Sequence, residues 1–197
     1  MIWQPNRTCT TNPPAIDARR RRVTQWIAAT PLLASLPGMP AEPAAQLKRA
    51  IPRSGELLPA IGIGTYDVFD VAPAAPEVAE LKEVLRLFVA AGGRVIDSSA
   101  MYGRAEARVG DLAAALGVQA SLFLATKVWT SGRQAGIDQM QASLRLLRAQ
   151  RIDLMQVHNL LDLETHLQTL REWKRDGKIR YLGITHYHAG AYPELER

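Results

Sequence analysis

The sequence predicts an α/β protein made of serial βα units, in which parallel strands alternate with helices. Two observations predict this fold class. Short apolar runs typical of strands recur about every 30 residues, the length of one strand and its crossover helix. The segments between them carry apolar residues three and four positions apart, as on one face of a helix. A doubly wound sheet and a (β/α) barrel both fit this order of elements.

Five strands are predicted from the apolar runs. They span residues 61–65, 94–98, 122–127, 153–158 and 179–185. Upstream of the first strand, a Ser54-Gly55 turn separates two short apolar arms. This pattern predicts a small hairpin before the parallel strands begin.

Four helices are predicted between these strands. They span residues 77–91, 106–116, 134–148 and 164–176. Gly92-Gly93, Gly117 and Gly177 follow three of them and are typical of helix C-termini. Asp162 is placed to act as the N-cap of the last helix.

The charge of the chain lies in its N-terminal part. Residues 1–50 contain seven Lys/Arg and two acidic residues, which accounts for the whole net charge of +5. Residues 51–197 contain 17 basic and 17 acidic residues, and this balance argues against nucleic-acid binding. We therefore divide the chain into a leader, residues 1–45, and a βα domain, residues 46–197.

The leader has the order of an export signal. Four arginines at positions 19–22 precede a modestly apolar stretch at 23–40 and an Ala/Pro-rich segment. Paired arginines before weak hydrophobicity resemble a twin-arginine signal, which would make the protein periplasmic. The alternatives are a disordered basic leader or a start codon assigned too early, and the protein would then be cytoplasmic.

Several classes of site are disfavoured by the sequence. No apolar run reaches the roughly 20 residues of a membrane span. The histidines show no paired ligand spacing, so no metal site is predicted. The only cysteine, Cys9, cannot form a disulfide within the chain.

Residues with reactive side chains lie at or just after the ends of the predicted strands. Asp97, Lys127 and His158 end successive strands, and Tyr102 follows Asp97 by five residues. Each alone also fits a structural role: a turn cap, a solvated strand end, a satisfied histidine and a loop anchor. In a parallel barrel all four would face the C-terminal rim, where active sites are built.

Together these four groups suit protonation of a carbonyl oxygen. A phenol is a poor acid at neutral pH, but a nearby ammonium such as that of Lys127 favours the phenolate and lowers the pKa. Asp97 would hold Lys127 in its charged form. His158 would orient a substrate oxygen or relay a proton, while a hydride arrives from elsewhere.

Residues from about 50 to 197 resemble the aldo-keto reductase superfamily. The stretch "VIDSSAMYG" resembles the family's aspartate strand and catalytic tyrosine loop, "LFLATKVW" its lysine strand and "DLMQVHN" its histidine strand. The stretches "IGIGTY" and "YLGITHY" resemble its first and fifth strands. The resemblance implies a (β/α)₈ barrel, NADPH as cofactor without a Rossmann motif, and a small-molecule carbonyl substrate.

The resemblance also implies roles for individual residues. Tyr102 would be the general acid, tuned by Lys127 and Asp97, and His158 would help place the carbonyl. The residues expected to bind the cofactor are Gly64, Thr65 and Asp97 at the nicotinamide ribose and Asn159, Thr185 and His186 near the carboxamide. Trp129 and the Tyr66-Asp67 pair either shape a carbonyl pocket or merely pack at the rim.

The strand count departs from the family pattern. A full barrel needs about 250 residues, whereas 147 residues follow position 50. The sequence therefore predicts an incomplete (β/α)₈ TIM barrel, with about five of eight βα strands. Three interpretations remain open: a truncated reductase, a half-barrel that self-associates through its open sheet edges, and an inert remnant with a binding or regulatory role.

Overall fold

The computed structural model describes residues 46–196. The predicted leader, residues 1–45, lies outside the described residues. Strands β1 (Lys48–Ala50) and β2 (Leu57–Pro59) pair antiparallel and form the predicted hairpin. Gly55, at φ 72°, supplies the left-handed conformation that the turn requires.

Five parallel strands form the main sheet. They are β3 (Gly62–Gly64), β4 (Val95–Asp97), β5 (Phe123–Val128), β6 (Ile152–His158) and β7 (Ile179–Thr185). Their spatial order is β3-β4-β5-β6-β7, without a reversal. Because crossovers are right-handed, a sheet wound in one direction carries its helices on one face. The sheet is therefore a segment of a barrel and not a doubly wound sheet.

Helices connect the parallel strands as predicted. They are α1 (Glu77–Ala90), α2 (Ala105–Leu116), α3 (Arg133–Leu146) and α4 (Leu163–Arg175), and the short α5 (Tyr192–Glu196) follows β7. The predicted boundaries of α1 to α4 agree within two residues. Among the residues in this structure, no helix is both long and apolar enough to cross a membrane.

The prediction for Asp162 is only half right. Asp162 occupies the N-cap position of α4, but its carboxylate accepts no hydrogen bond from the backbone of that helix. Oδ2 instead accepts the backbone N–H of Gly132, 2.7 Å away, which holds the pKa of Asp162 below its usual range. The aspartate therefore ties α4 to the loop after β5.

The core lies between the sheet and the helices. All six residues of β5, the middle strand of the five, are buried. Fully buried apolar side chains from both layers meet there, including those of Ile96, Val109, Met140 and Met155. This packing holds the carboxyl ends of the strands in fixed register.

The hairpin closes the opposite end of the sheet. Arg180, at the start of β7, pairs with Glu56 of the hairpin and with Asp153 of β6, the latter at 2.7 Å. The hydroxyl of Tyr181 donates to Glu56 at 2.6 Å, and this bond lowers the pKa of Glu56. The hairpin is thus joined to β7 by charged and hydrogen-bonded side chains.

Candidate active site

The ends of β4 and β5 hold a close ion pair. Lys127 Nζ lies 2.6 Å from Asp97 Oδ2 and donates to the carbonyl of Ser98 at 2.7 Å. The side chain of Lys127 is 6% exposed and that of Asp97 is 41% exposed. A buried ammonium needs a counter-charge, and Asp97 supplies it.

Tyr102 lies above this pair. Lys127 Nζ is 5.1 Å from the centre of the Tyr102 ring, on its face. The ring also packs edge-on against Tyr66 at 5.1 Å and against His158 at 6.0 Å, measured between ring centres. The four predicted catalytic residues are therefore brought together by three successive strands and the loop after β4.

The pKa of Tyr102 is raised above its ordinary value. The largest cause is burial, and the negative charge of Asp97 adds to it. The expectation that Lys127 would lower this pKa is wrong. The physical reason is that burial of the ring and the negative charge of Asp97 both disfavour the phenolate.

His158 is buried, and the neutral form of its ring is favoured. Burial lowers the pKa of His158, and the ammonium of Lys127 lowers it further. Its Nδ1 lies 3.1 Å from the hydroxyl of Ser99. When that hydroxyl donates to Nδ1, the proton of the neutral ring is on Nε2, which is then a hydrogen-bond donor.

A cavity of about 530 Å³ opens beside these groups. Its walls are mainly aromatic. They are formed by Tyr66, Met101, Tyr102, Trp129, His158, Asn159 and Tyr187. Tyr66 and Trp129 therefore line a pocket, whereas Asp67 is not among its lining residues.

The residues predicted to bind a cofactor differ in their exposure and hydrogen bonding. Gly64 is exposed, and a Cβ built on it would meet nothing within 4 Å, so there is room for a ligand beside it. The side chain of Thr65 is instead buried and donates to Ser98 Oγ at 2.9 Å. The backbone amide of Thr65 bonds to the carbonyl of Asp97 at 3.0 Å. Thr65 thus supports the strand ends with both groups.

Asn159 carries an unused acceptor. Its Oδ1 is buried and has no hydrogen-bond partner within residues 46–196. Thr185 lies opposite His158 in the β6–β7 register, which brings the end of β7 next to the end of β6. His186 is half-buried and close enough for its charge to lower the pKa of His158.

Two polar residues of the site were missed by the sequence analysis. Gln156 Nε2 donates to Asp97 Oδ1 at 3.3 Å, and Ser99 contacts His158. Gln156 precedes His158 by two residues and therefore shares its face of β6, a signal that strand periodicity provides. Gly183, its partner in β7, leaves room for the Gln156 side chain.

A metal centre is not apparent in the part of the chain that the structure covers. No group of three or more His, Cys, Asp or Glu side chains is arranged there to hold a metal ion.

Comparison with known proteins agrees with this geometry. The model of the aldo/keto reductase family matches residues 60–197, which is more than half of the chain. The chain belongs to the aldo/keto reductase family. Its five parallel strands are accordingly part of the family's (β/α)₈ barrel.

Curated members of the family are similar over part of their length. Methylglyoxal reductase YeaE of Escherichia coli K12 is 33% identical over 156 residues, which cover 75% of this chain and 53% of that protein. Methylglyoxal reductase DkgB of Escherichia coli O157:H7 is 30% identical, covering 66% and 48% respectively. This aldo/keto reductase chain therefore spans about half the length of these relatives.

Solved structures of the family superpose on the chain. An aldo/keto reductase from Klebsiella pneumoniae in complex with NADP and acetate gives a TM-score of 0.61 at 26% identity, covering 73% of this chain and 51% of that one. The thermostable aldo-keto reductase Tm1743, in complex with the inhibitor epalrestat, gives 0.65 at 26% identity, covering 76% and 57%. The barrel segment predicted from the sequence is thus confirmed.

Proposed function

We propose that this aldo/keto reductase chain reduces a small aldehyde or ketone to an alcohol, with NADPH as the hydride donor. The observation that carries the proposal is the arrangement around the cavity. The rings of Tyr102 and His158 face it at 6.0 Å from each other, and the Lys127–Asp97 pair lies behind Tyr102. A proton donor, an oxygen-orienting group and a charged support are therefore present at one cavity wall.

The protein residues supply the proton side of the reaction. His158, neutral and bonded to Ser99, donates from Nε2 to the substrate oxygen and orients it. Tyr102 transfers its phenolic proton to that oxygen as negative charge develops there. Lys127 then lies next to the phenolate and stabilises it. The raised pKa of Tyr102 keeps the phenol protonated before the reaction.

The residues present fit a nicotinamide cofactor in part. The buried, unpartnered Oδ1 of Asn159 is an acceptor suited to a carboxamide N–H₂, and the open space at Gly64 admits a ribose. Thr185 and His186 extend the same rim. NADPH, when bound, supplies the hydride for the carbonyl carbon. The complexes of related enzymes with NADP and NADPH support this choice of cofactor.

Small carbonyl compounds suit the size of the site. The cavity of about 530 Å³ is bounded mainly by aromatic side chains. The similar Escherichia coli proteins are methylglyoxal reductases. Methylglyoxal is therefore the first substrate to test.

The proposal is tested by NADPH binding and turnover in the same preparation. NADPH fluorescence measures binding, and the loss of NADPH absorbance with methylglyoxal measures turnover. Tyr102→Phe is expected to keep NADPH affinity and to lower kcat by about 10²- to 10⁴-fold. Tyr192→Phe, on the exposed α5 helix, is the matched control and should retain activity.

Two results would contradict this function. Undiminished turnover in Tyr102→Phe would exclude Tyr102 as the acid. Failure of the 197-residue chain to bind NADPH would instead favour a non-catalytic binding or regulatory role, the alternative that the sequence left open.

We also propose that the chain self-associates. Within the described residues β3 and β7 each pair with only one strand. Ile61, directly before β3, is 67% exposed, and Val84 and Leu87 of the following helix α1 are 48% and 52% exposed. Open strand edges and exposed apolar side chains favour association with a second copy. Light scattering should detect a dimer, and a monomer at all concentrations would contradict this proposal.

We further propose that residues 1–45 direct export of the folded protein. The arginines at positions 19–22 and the weakly apolar stretch after them support it. Fractionation of expressing cells should recover the protein in the periplasm with a shortened N-terminus. An intact Met1 in the cytoplasmic fraction would contradict it.

A further inference from the structure

The loop between β5 and α3, residues 129–132, forms one wall of the cavity. Its first residue, Trp129, is 40% exposed, and its ring centre lies 6.5 Å from that of His158. Side chains of the two following helices hold the loop through its backbone groups. These contacts fix the backbone from which the indole projects.

Gln139 of α3 binds both backbone groups of Trp129. The backbone N–H of Trp129 donates to Gln139 Oε1 at 2.6 Å, and Gln139 Nε2 donates to the Trp129 carbonyl at 3.2 Å. One planar amide thus satisfies a donor and an acceptor of the same residue. Two bonds in one plane restrict rotation of the backbone as well as its displacement.

Helix α4 fixes the rest of the loop. His166 is fully buried, and its Nε2 lies 2.7 Å from the carbonyl of Thr130. Because a carbonyl can only accept, Nε2 carries the proton in this bond. Asp162 holds the N–H of Gly132, as described above. The loop is therefore attached to α3 at its start and to α4 at its middle and end.

The contact between the two helices depends on Gly136. A Cβ built on Gly136 would lie 2.5 Å from His166 Cε1, well inside van der Waals contact. The absence of a side chain at position 136 lets the imidazole reach the loop. The packing of α3 on α4 and the position of Thr130 are thus coupled.

We propose that Gln139 is a positioning residue that fixes Trp129 as the wall against which an aromatic substituent of the carbonyl substrate packs. This inference rests on the proposed function of the same cavity. Tyr66 and Tyr187 supply further aromatic walls, and flat rings pack well between such groups. A carbonyl with only a methyl substituent reaches Tyr102 and His158 without needing the indole.

The two hydrogen bonds between Gln139 and the backbone of Trp129 form a clamp. This clamp is tested first without turnover, by hydrogen exchange at the Trp129 amide. Gln139→Leu removes the acceptor of that N–H, and we expect its exchange to accelerate at least tenfold. Gln141→Leu changes an exposed glutamine of the same helix and is the matched control. Unchanged exchange in Gln139→Leu, with a native circular dichroism spectrum, would overturn the clamp. Gly136→Ala provides a second variant that displaces the loop through His166.

The effect on specificity is tested with ligands of two sizes. Gln139→Leu is expected to weaken benzoate binding about tenfold and acetate binding less than twofold, as measured by NMR titration. In turnover assays the KM for benzaldehyde should also rise about tenfold. The KM for methylglyoxal and the kcat values for both substrates should stay nearly unchanged. Equal weakening of benzoate and acetate would overturn the proposal. A chain that shows the binding difference but no turnover would contradict only the proposed catalytic function.

Discussion

Lys127 reaches across from β5 to Asp97 of β4, and its ammonium lies 2.6 Å from the carboxylate. The two partners differ in exposure, since Lys127 is 6% exposed and Asp97 is 41% exposed. The pair therefore joins a buried cation to a partly hydrated anion. Removing the charge of Asp97 and removing the charge of Lys127 should therefore affect stability differently.

Asp97→Asn should destabilise the protein more than Lys127→Met. The first change leaves a buried ammonium without a counter-charge, whereas the second leaves a carboxylate that water reaches. We expect Asp97→Asn to lower the free energy of unfolding by about 2 kcal/mol, less than for a fully buried pair because Asp97 is partly exposed. Urea denaturation of both variants measures the difference. A larger decrease in the free energy of unfolding for Lys127→Met than for Asp97→Asn would contradict this prediction. It would show that hydration does not stabilise the unpaired Asp97 carboxylate.

His158 should make stability depend on pH between neutrality and mild acid. The folded protein lowers the pKa of His158 below its ordinary value of 6.5. As the pH falls through 6.5, the unfolded chain binds a proton that the folded protein resists, so the free energy of unfolding decreases. His158→Gln should lose less stability than the parent between pH 7 and 5. Parallel curves for the two proteins in chemical denaturation would contradict this expectation.

Glu106 should have the opposite pH dependence. This carboxyl group is buried at the start of α2, where it accepts hydrogen bonds from Thr126 at 2.6 Å and Ser143 at 3.1 Å. Burial raises its pKa above the ordinary 4.5, so ionisation above that pH weakens the fold. Glu106→Gln should therefore become more stable relative to the parent as the pH rises from 4.5 to 8. The stabilities of the two proteins are compared by thermal unfolding. A stability difference that stays constant from pH 4.5 to 8 would contradict a raised pKa for Glu106.

Gly110→Ala should destabilise the protein although alanine favours helix. A Cβ on Gly110 of α2 would lie 2.1 Å from the backbone oxygen of Leu146. That backbone cannot rotate away, so α2 and α3 must separate, at a cost of about 1–3 kcal/mol. Ala115→Gly, at an exposed position of the same helix, is the comparison and should cost about 1 kcal/mol by helix propensity alone. Stabilisation by Gly110→Ala in urea denaturation would contradict this account of the helix contact.

The fold was largely predictable from local sequence signals. Apolar runs about 30 residues apart and glycines after the helices predicted each parallel strand and its crossover within a few residues. The hairpin followed from Ser54-Gly55 between apolar arms. Such features depend on neighbouring residues in the chain, so a single sequence contains them. The choice between a barrel and a doubly wound sheet needed the strand order in space, or the resemblance to a family.

The candidate site was predictable in its members but not in its electrostatics. Asp97, Lys127 and His158 were found because strand ends of a parallel sheet share one edge. The direction in which the pKa of Tyr102 shifts was not predictable, because it depends on the burial of the ring and on the negative charge of Asp97 beside it. Ionisation is decided by distances of a few ångströms, which spacing along the chain does not specify.

The sequence by itself thus determined the alternation of strands and helices, the reactive residues at the strand ends and the family. Only the tertiary structure decided which groups touch. It placed Gln139 of α3 on the backbone of Trp129 and let His166 of α4 reach Thr130 past Gly136. These contacts join separate helices to one loop, and their geometry depends on how the helices pack on the sheet. Packing is a property of the whole folded chain, so no local pattern of residues encodes it.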